Sequence, residues 1–293
     1  MKKYYLYLIV YFFLFIASIF PFFYTHTDAY EKKLYKYTEL YEPELGRITS
    51  VNEAILYIDS THRNDNTFSP IFDTLNYVKK TSHFVKARFH HDLANYSAQE
   101  NWIANLCGKL FWSHFSAVVI PDDILKHSKG ICSQQAMVYM EILKQKGVTT
   151  RKIGWGDGKP PGHFLTEVYY NNSWHLYDIN KEPEWKKISH HYESMEFYMK
   201  NQDTLYLAYQ NRLSRAHFDK LMEKVEYGKP NEFSAPHMLW FHRITKWVTY
   251  ILPLFFFMMS ILSFFKLRST TSVLKKYKEE ILVTENSTSS TTT

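Results

Sequence analysis

The chain has 293 residues, 45% of them hydrophobic and 18% aromatic, with a formal net charge of +6 and only two cysteines. Two cysteines, Cys107 and Cys132, allow one disulfide outside the cell, but the motif read below needs Cys132 as a free thiol, so that bridge is not expected. The basic surplus sits beside two apolar ends, at Lys2, Lys3, Lys246, Lys266, Arg268, Lys275, Lys276 and Lys278. The middle is close to neutral, so a nucleic-acid footprint is absent and no nucleic-acid partner is expected.

Residues 4–24 carry no charge over 21 positions. At about 1.5 Å per residue, such a helix crosses the ~30 Å hydrocarbon core. A signal peptide is the competing reading, but the apolar stretch is long for one and no small-x-small cleavage site follows. A retained N-terminal transmembrane anchor is therefore expected at 1–24. A helical lead-in follows at 25–84: a short helix within 25–50, a second helix opened by Asn52 as N-cap, and loop with short elements at 60–82 around Pro70. Ser97 and Glu100 fit a capping box. The helix they open spaces Trp102, Ile103, Leu106, Cys107 and Leu110 as a buried stripe, with Cys107 a small apolar member of it.

Residues 132–146 repeat Ala136, Met137, Met140 and Leu143 on one helical side, with Gly147 at the C′ position. A strand is expected at 148–155. The Gly/Pro-rich loop 156–162 lacks the Lys-Ser/Thr of a phosphate loop and reads as a flexible rim beside His163. Strands at 163–170 and 173–178 flank Asn171-Asn172, a tight turn. The part at 183–243 is expected to be mainly helical, with Phe218, Leu221, Met222 and Val225 as a stripe ended by Gly228 and Pro230.

A second uncharged run covers 247–265, within a transmembrane helix at 244–265 that tolerates Pro253. A basic, then Ser/Thr-rich cytoplasmic tail fills 266–293, disordered from Thr284. The flanking Lys and Arg put both termini in the cytoplasm and residues 25–243 outside, in a two-pass plasma (inner) membrane arrangement with the lipid bilayer as partner. Arg243 and Lys246 weaken that bias without reversing it.

The chemistry begins at Gly130-Ile131-Cys132. A Cys at a helix start meets unpaired N–H groups and the positive end of the dipole, which favour a thiolate. In a two-residue hairpin, Tyr170 pairs with Ser173, so Leu165 faces Asp178. His163 shares Leu165's face, which brings His163 and Asp178 to one side, diagonally. A nucleophile needs a base, and the base an orienting group; Cys132, His163 and Asp178 fill these roles in turn.

Gly130-x-Cys132-x-x-x-Ala136, His163-Phe164-x-x-Glu167-Val168 and Trp174-x-x-x-Asp178 resemble the transglutaminase-like superfamily of bacterial type, as does the segment from Arg88 to Trp102. The resemblance covers about residues 85–180, and a catalytic core is expected at 85–182. It implies an α+β fold with a papain-like core, the Cys-bearing helix packed on an antiparallel sheet, here flanked by two transmembrane helices. It implies acyl transfer through a Cys132 thioester on a protein or peptide substrate, without a cofactor. The oxyanion would be held by the Cys132 backbone N–H and a second donor, Asn101 or the Trp102 indole. Hydrolysis by a cysteine peptidase or amidase is the main expectation. Isopeptide cross-linking and a catalytically idle binding module are the alternatives. No metal is expected at His90-His91-Asp92 or His190-His191, because no matching ligand set accompanies them. Trp155 is read as cleft lining or core, and Arg88 as a substrate-carboxylate contact or a structural ion pair.

Overall fold

A computed structural model describes residues 2–23, 40–63, 73–156 and 162–289. Residues 25–39, Pro70, the interior of the Gly/Pro-rich loop and residues 290–293 lie outside the described residues. The described helices and strands, in chain order, are α1 (Lys2–Phe23), α2 (Val51–Arg63), α3 (Thr74–Arg88), α4 (Ala98–Leu110), α5 (Pro121–Ile124), α6 (Cys132–Gln145), β1 (Thr149–Trp155), β2 (His163–Tyr170), β3 (Ser173–Tyr177), α7 (Met195–Lys200), α8 (Gln202–Tyr209), α9 (Arg215–Met222), β4 (Val225–Tyr227) and α10 (Pro236–Ser289). The fold is α+β, with a four-stranded antiparallel sheet ordered β3-β2-β1-β4 and two long apolar helices. The chain divides into two compact units: Tyr30–Asn95 with Ser116–Phe241, and Met1–Ala29 with Tyr96–Phe115 and His242–Thr293.

The first of these units carries the sheet. Asn171 and Asn172 take φ of 49° and 62°, the paired left-handed conformation of a type I′ turn. That turn fixes Tyr170 opposite Ser173 and Thr166 opposite Tyr177. Alternation then sorts the side chains onto two faces. One face sets Ile153, Trp155, Leu165 and Leu176 against Met195, Leu205, Tyr209 and Phe218 of α7–α9. On the other, Tyr177 meets Tyr139 of α6, which packs along β1 and β2. Helices α2, α3 and α5 in turn pack on α6.

Several expected elements differ. Ser50, not Asn52, caps α2, its Oγ accepting from Glu53 N at 3.2 Å. The polar stretch 60–82 is helical wherever it is described except at Asp73, whose side chain accepts from Asn76 N to start α3. Its inward face of Tyr77, Val78 and Thr81 is diluted by lysines on the outward one. Val225 does not continue the α9 stripe. It turns into β4, where Trp155 pairs with it, so a strand closes a region that reads as helix. Helix α10 neither starts as late nor ends as early as the apolar run. No Gly or Pro interrupts it after Pro253, and Lys275 faces Glu279 one turn on. The tail thus stays helical to Ser289.

The other unit contains the two helices long and apolar enough to cross a membrane, α1 and α10. They pack antiparallel: Phe15 lies 5.3 Å from Phe257 and Phe22 lies 5.8 Å from Tyr250, ring centre to ring centre. The capping box of α4 forms, with Ser97 Oγ accepting from Glu100 N and Glu100 accepting from Ser97 N. The expected buried stripe does not. Asn101 and Ala104 are the buried positions, while Leu106 and Leu110 are exposed. Residues 102–110 keep their helical spacing, but the side that carries Asn101 and Ala104 is the one turned inward.

Candidate active site

Helix α6 begins at Cys132, after Ile131 in extended conformation. Ile131 has no side-chain acceptor to cap with, so Gln134 does the work. Its Oε1 accepts from Ile131 N at 3.2 Å and Ala94 N at 3.0 Å, and its Nε2 donates to the Ala94 and Val118 carbonyls at 2.8 Å each. Gln135 Nε2 donates to the Gly130 carbonyl at 2.7 Å. The turn bearing the thiol is thereby tied to two neighbouring segments. No acidic residue occupies that first turn, so nothing offsets the dipole's preference for an anion.

His163 opens β2, opposite Trp155, and Asp178 follows directly on β3. Both are buried, and His163 Nε2 lies 2.8 Å from Asp178 Oδ2. The other imidazole nitrogen, Nδ1, is left for Cys132, with which His163 is hydrogen-bonded. The Phe164 backbone N–H also favours the Cys132 thiolate. Asp178 Oδ1 accepts from Asn180 N at 3.1 Å and Lys181 N at 2.9 Å, while Oδ2 also accepts from Tyr209 Oη at 2.8 Å. Asp178 therefore caps its turn with one oxygen and holds the imidazole with the other.

Burial opposes charge on all three groups, and their mutual contacts overcome it. Against that burial, the Asp178 carboxylate and the Cys132 sulfur raise His163 to about 9. The hydrogen bond and charge of His163, with Phe164 N–H, hold the Cys132 thiol below its ordinary value. His163, Lys181 N and Tyr209 hold the Asp178 carboxyl low. These directions favour a thiolate–imidazolium pair near neutral pH. Cys132 and Cys107 are both free and half-buried.

Trp155 is core rather than cleft. It is buried between Tyr209 and Phe218, with its indole N–H directed at Met222 sulfur. Arg88 is also set in the interior: its buried guanidinium donates to the carbonyls of Gly46, Ile48, Leu125 and His127. Glu167 is fully buried, bound to Arg151 at 2.6 Å and accepting from Met195 N at the start of α7. Asn101 and Trp102 belong to the other unit. There Asn101 Nδ2 donates to Thr245 Oγ1 at 2.8 Å, and the Trp102 indole N–H has no hydrogen-bond partner among the described residues. His91 Nδ1 meets Asn180 Nδ2 at 2.8 Å, and His191 meets the Ile188 carbonyl at 2.6 Å. Among the described residues no group of three or more His, Cys, Asp or Glu side chains is placed to hold a metal.

Two contributors escaped the sequence reading. Gln134 has a signal, Gln three residues after an N-cap. Tyr209 has none, since its contact with Asp178 depends on how α8 docks. Compared with known proteins, the chain matches no family model, no curated protein and no solved structure.

Proposed function

We propose that the chain is a membrane-anchored cysteine acyl-transfer enzyme of transglutaminase-like type, hydrolysing protein or peptide amides outside the membrane. The observation that carries this reading is the continuous link Cys132–His163–Asp178, closed by the 2.8 Å contact of His163 with Asp178. A Cys-bearing helix packed on an antiparallel sheet that carries His and Asp also fits the papain-like core of that superfamily.

The chemistry follows from the polarised pair. The Cys132 thiolate attacks the amide carbonyl carbon, and the Cys132 backbone N–H at the helix start stabilises the oxyanion. His163 gives its Nδ1 proton to the departing amine as the C–N bond breaks, leaving a thioester. His163 then takes a proton from water as the water oxygen attacks. Collapse expels the thiolate, releases the acid and restores the pair. An amine in place of water would yield an isopeptide bond through the same thioester. Asp178 keeps the imidazole oriented throughout.

The membrane part rests on α1 and α10. An antiparallel pair of spans returns the chain to the side from which it started, and the basic flanks assign that side to the cytoplasm. To test the chemistry, the protein is offered a peptide library at neutral pH, quenched in acid and searched by mass spectrometry for acyl groups on Cys132. Acyl adducts in wild type, absent in Cys132→Ala, are expected. Adducts confined to Cys107, or none in folded protein, would overturn the assignment.

A further inference from the structure

Residues 96–115 leave helix α10 and come back to it. Tyr96 stands edge-on to His242 at 4.9 Å, and His242 Nε2 donates to the Phe115 carbonyl at 2.9 Å. Between these two returns, Asn101 Nδ2 donates to Thr245 Oγ1 at 2.8 Å, and Thr249 Oγ1 donates to Asn101 Oδ1 at 3.4 Å. Thr249 is about 10 Å further along the helix axis than His242, inside the uncharged run. The segment therefore descends along α10 into the level of that run and climbs out again.

Apart from Lys109, Ser113 and His114, which are exposed, the polarity of the excursion is the reverse of a water-facing helix. Its amide, Asn101, is buried with Thr245 and Thr249, whereas Leu106, Leu110, Phe111 and Trp112 are 45%, 65%, 77% and 54% exposed. On α10, Trp247 and Tyr250 are exposed at the same level. Trp and Tyr concentrate where headgroups meet acyl chains, and apolar side chains on a surface helix insert at that depth. Helix α4 also touches α1, so the patch is continuous with the two apolar helices.

We infer that α4 and the Phe111-Trp112 corner are a third membrane-contacting element, with Leu106, Leu110, Phe111 and Trp112 set into the headgroup–acyl boundary of the bilayer that α1 and α10 cross. This rests on the membrane reading above. The test uses full-length chain carrying Cys107→Ser and Cys132→Ser, reconstituted into phosphatidylcholine–phosphatidylglycerol vesicles. Nitroxide labels are placed singly at Leu110→Cys, Phe111→Cys, Phe257→Cys and Glu226→Cys. Labels at 110 and 111 should collide with a water-soluble nickel complex about fivefold less often than the label at 226, and with oxygen more often, at a shallower depth than 257. A lipidic 257 with aqueous 110 and 111 would overturn the inference and leave the spans intact. An aqueous 257 would remove the membrane reading and this inference with it. Spin–spin broadening at 110 would mean that a second copy covers the patch, which also overturns it.

Discussion

Asp178 serves two neighbours with two oxygens, and its substitutions separate them. Asp178→Asn keeps the volume but removes the charge that holds the imidazolium. It should slow turnover by about 10–10³, less than the loss seen in serine enzymes because a thiolate needs less activation. Tyr209→Phe removes only one donor to Oδ2. It should cost about 1–3 kcal/mol of stability, with a smaller loss of activity. Wild type should alkylate at Cys132 with an acid limb below the ordinary thiol range and lose activity as pH rises through about 9, where His163 gives up its proton. The raised His163 value also makes its stabilising contribution complete below 6.5 and absent above about 9. The lowered Asp178 value makes its own contribution present above 3.8 and lost in acid. Alkylation rate and melting temperature, measured from pH 4 to 10 on all three proteins, check this series; an unshifted profile in Asp178→Asn would leave a Cys–His dyad. The three residues of the link were legible because each sits on a local pattern, a helix start or an alternating strand. Tyr209 was not, because a contact spanning 31 residues is made by tertiary docking alone.

Among the elements, the β2–β3 hairpin was readable because two adjacent asparagines admit few turns, and the turn then dictates every pairing after it. Strand β4 was not: its three residues have no alternation of their own and exist as a strand only through β1. Helix α4 misled for a related reason, since spacing reports an apolar side but not what lies against it. The start of α6 is the most exposed to single changes. Gln134→Leu keeps a similar volume and strips four hydrogen bonds from a buried site. Unsatisfied groups at Ala94 and Val118 should lower stability by about 3–5 kcal/mol. Thermal unfolding of the detergent-solubilised protein measures this, and a loss under about 1 kcal/mol would show that water replaces the side chain.

For the whole molecule, the two apolar runs were the plainest feature of the sequence, because length and lack of charge are one-dimensional properties. Their antiparallel pairing was not, as it depends on which faces meet. Reporter fusions at residue 3 and after residue 275 should both report cytoplasm, and an insertion near residue 230 the opposite side. A cytoplasmic signal at 230 would reverse the orientation. The paired α1 and α10 also bear on how the sheet-bearing part could ever be set free. On the membrane reading, the chain between Phe23 and His242 is a loop tethered at both ends. One proteolytic nick leaves each fragment attached to its own span; at least two cuts, one beside each helix, are required before the domain can leave, and the membrane contact of residues 96–115 must then let go as well. Release by surface proteases would therefore show a lag, with a nicked, still-tethered form accumulating before any soluble fragment appears.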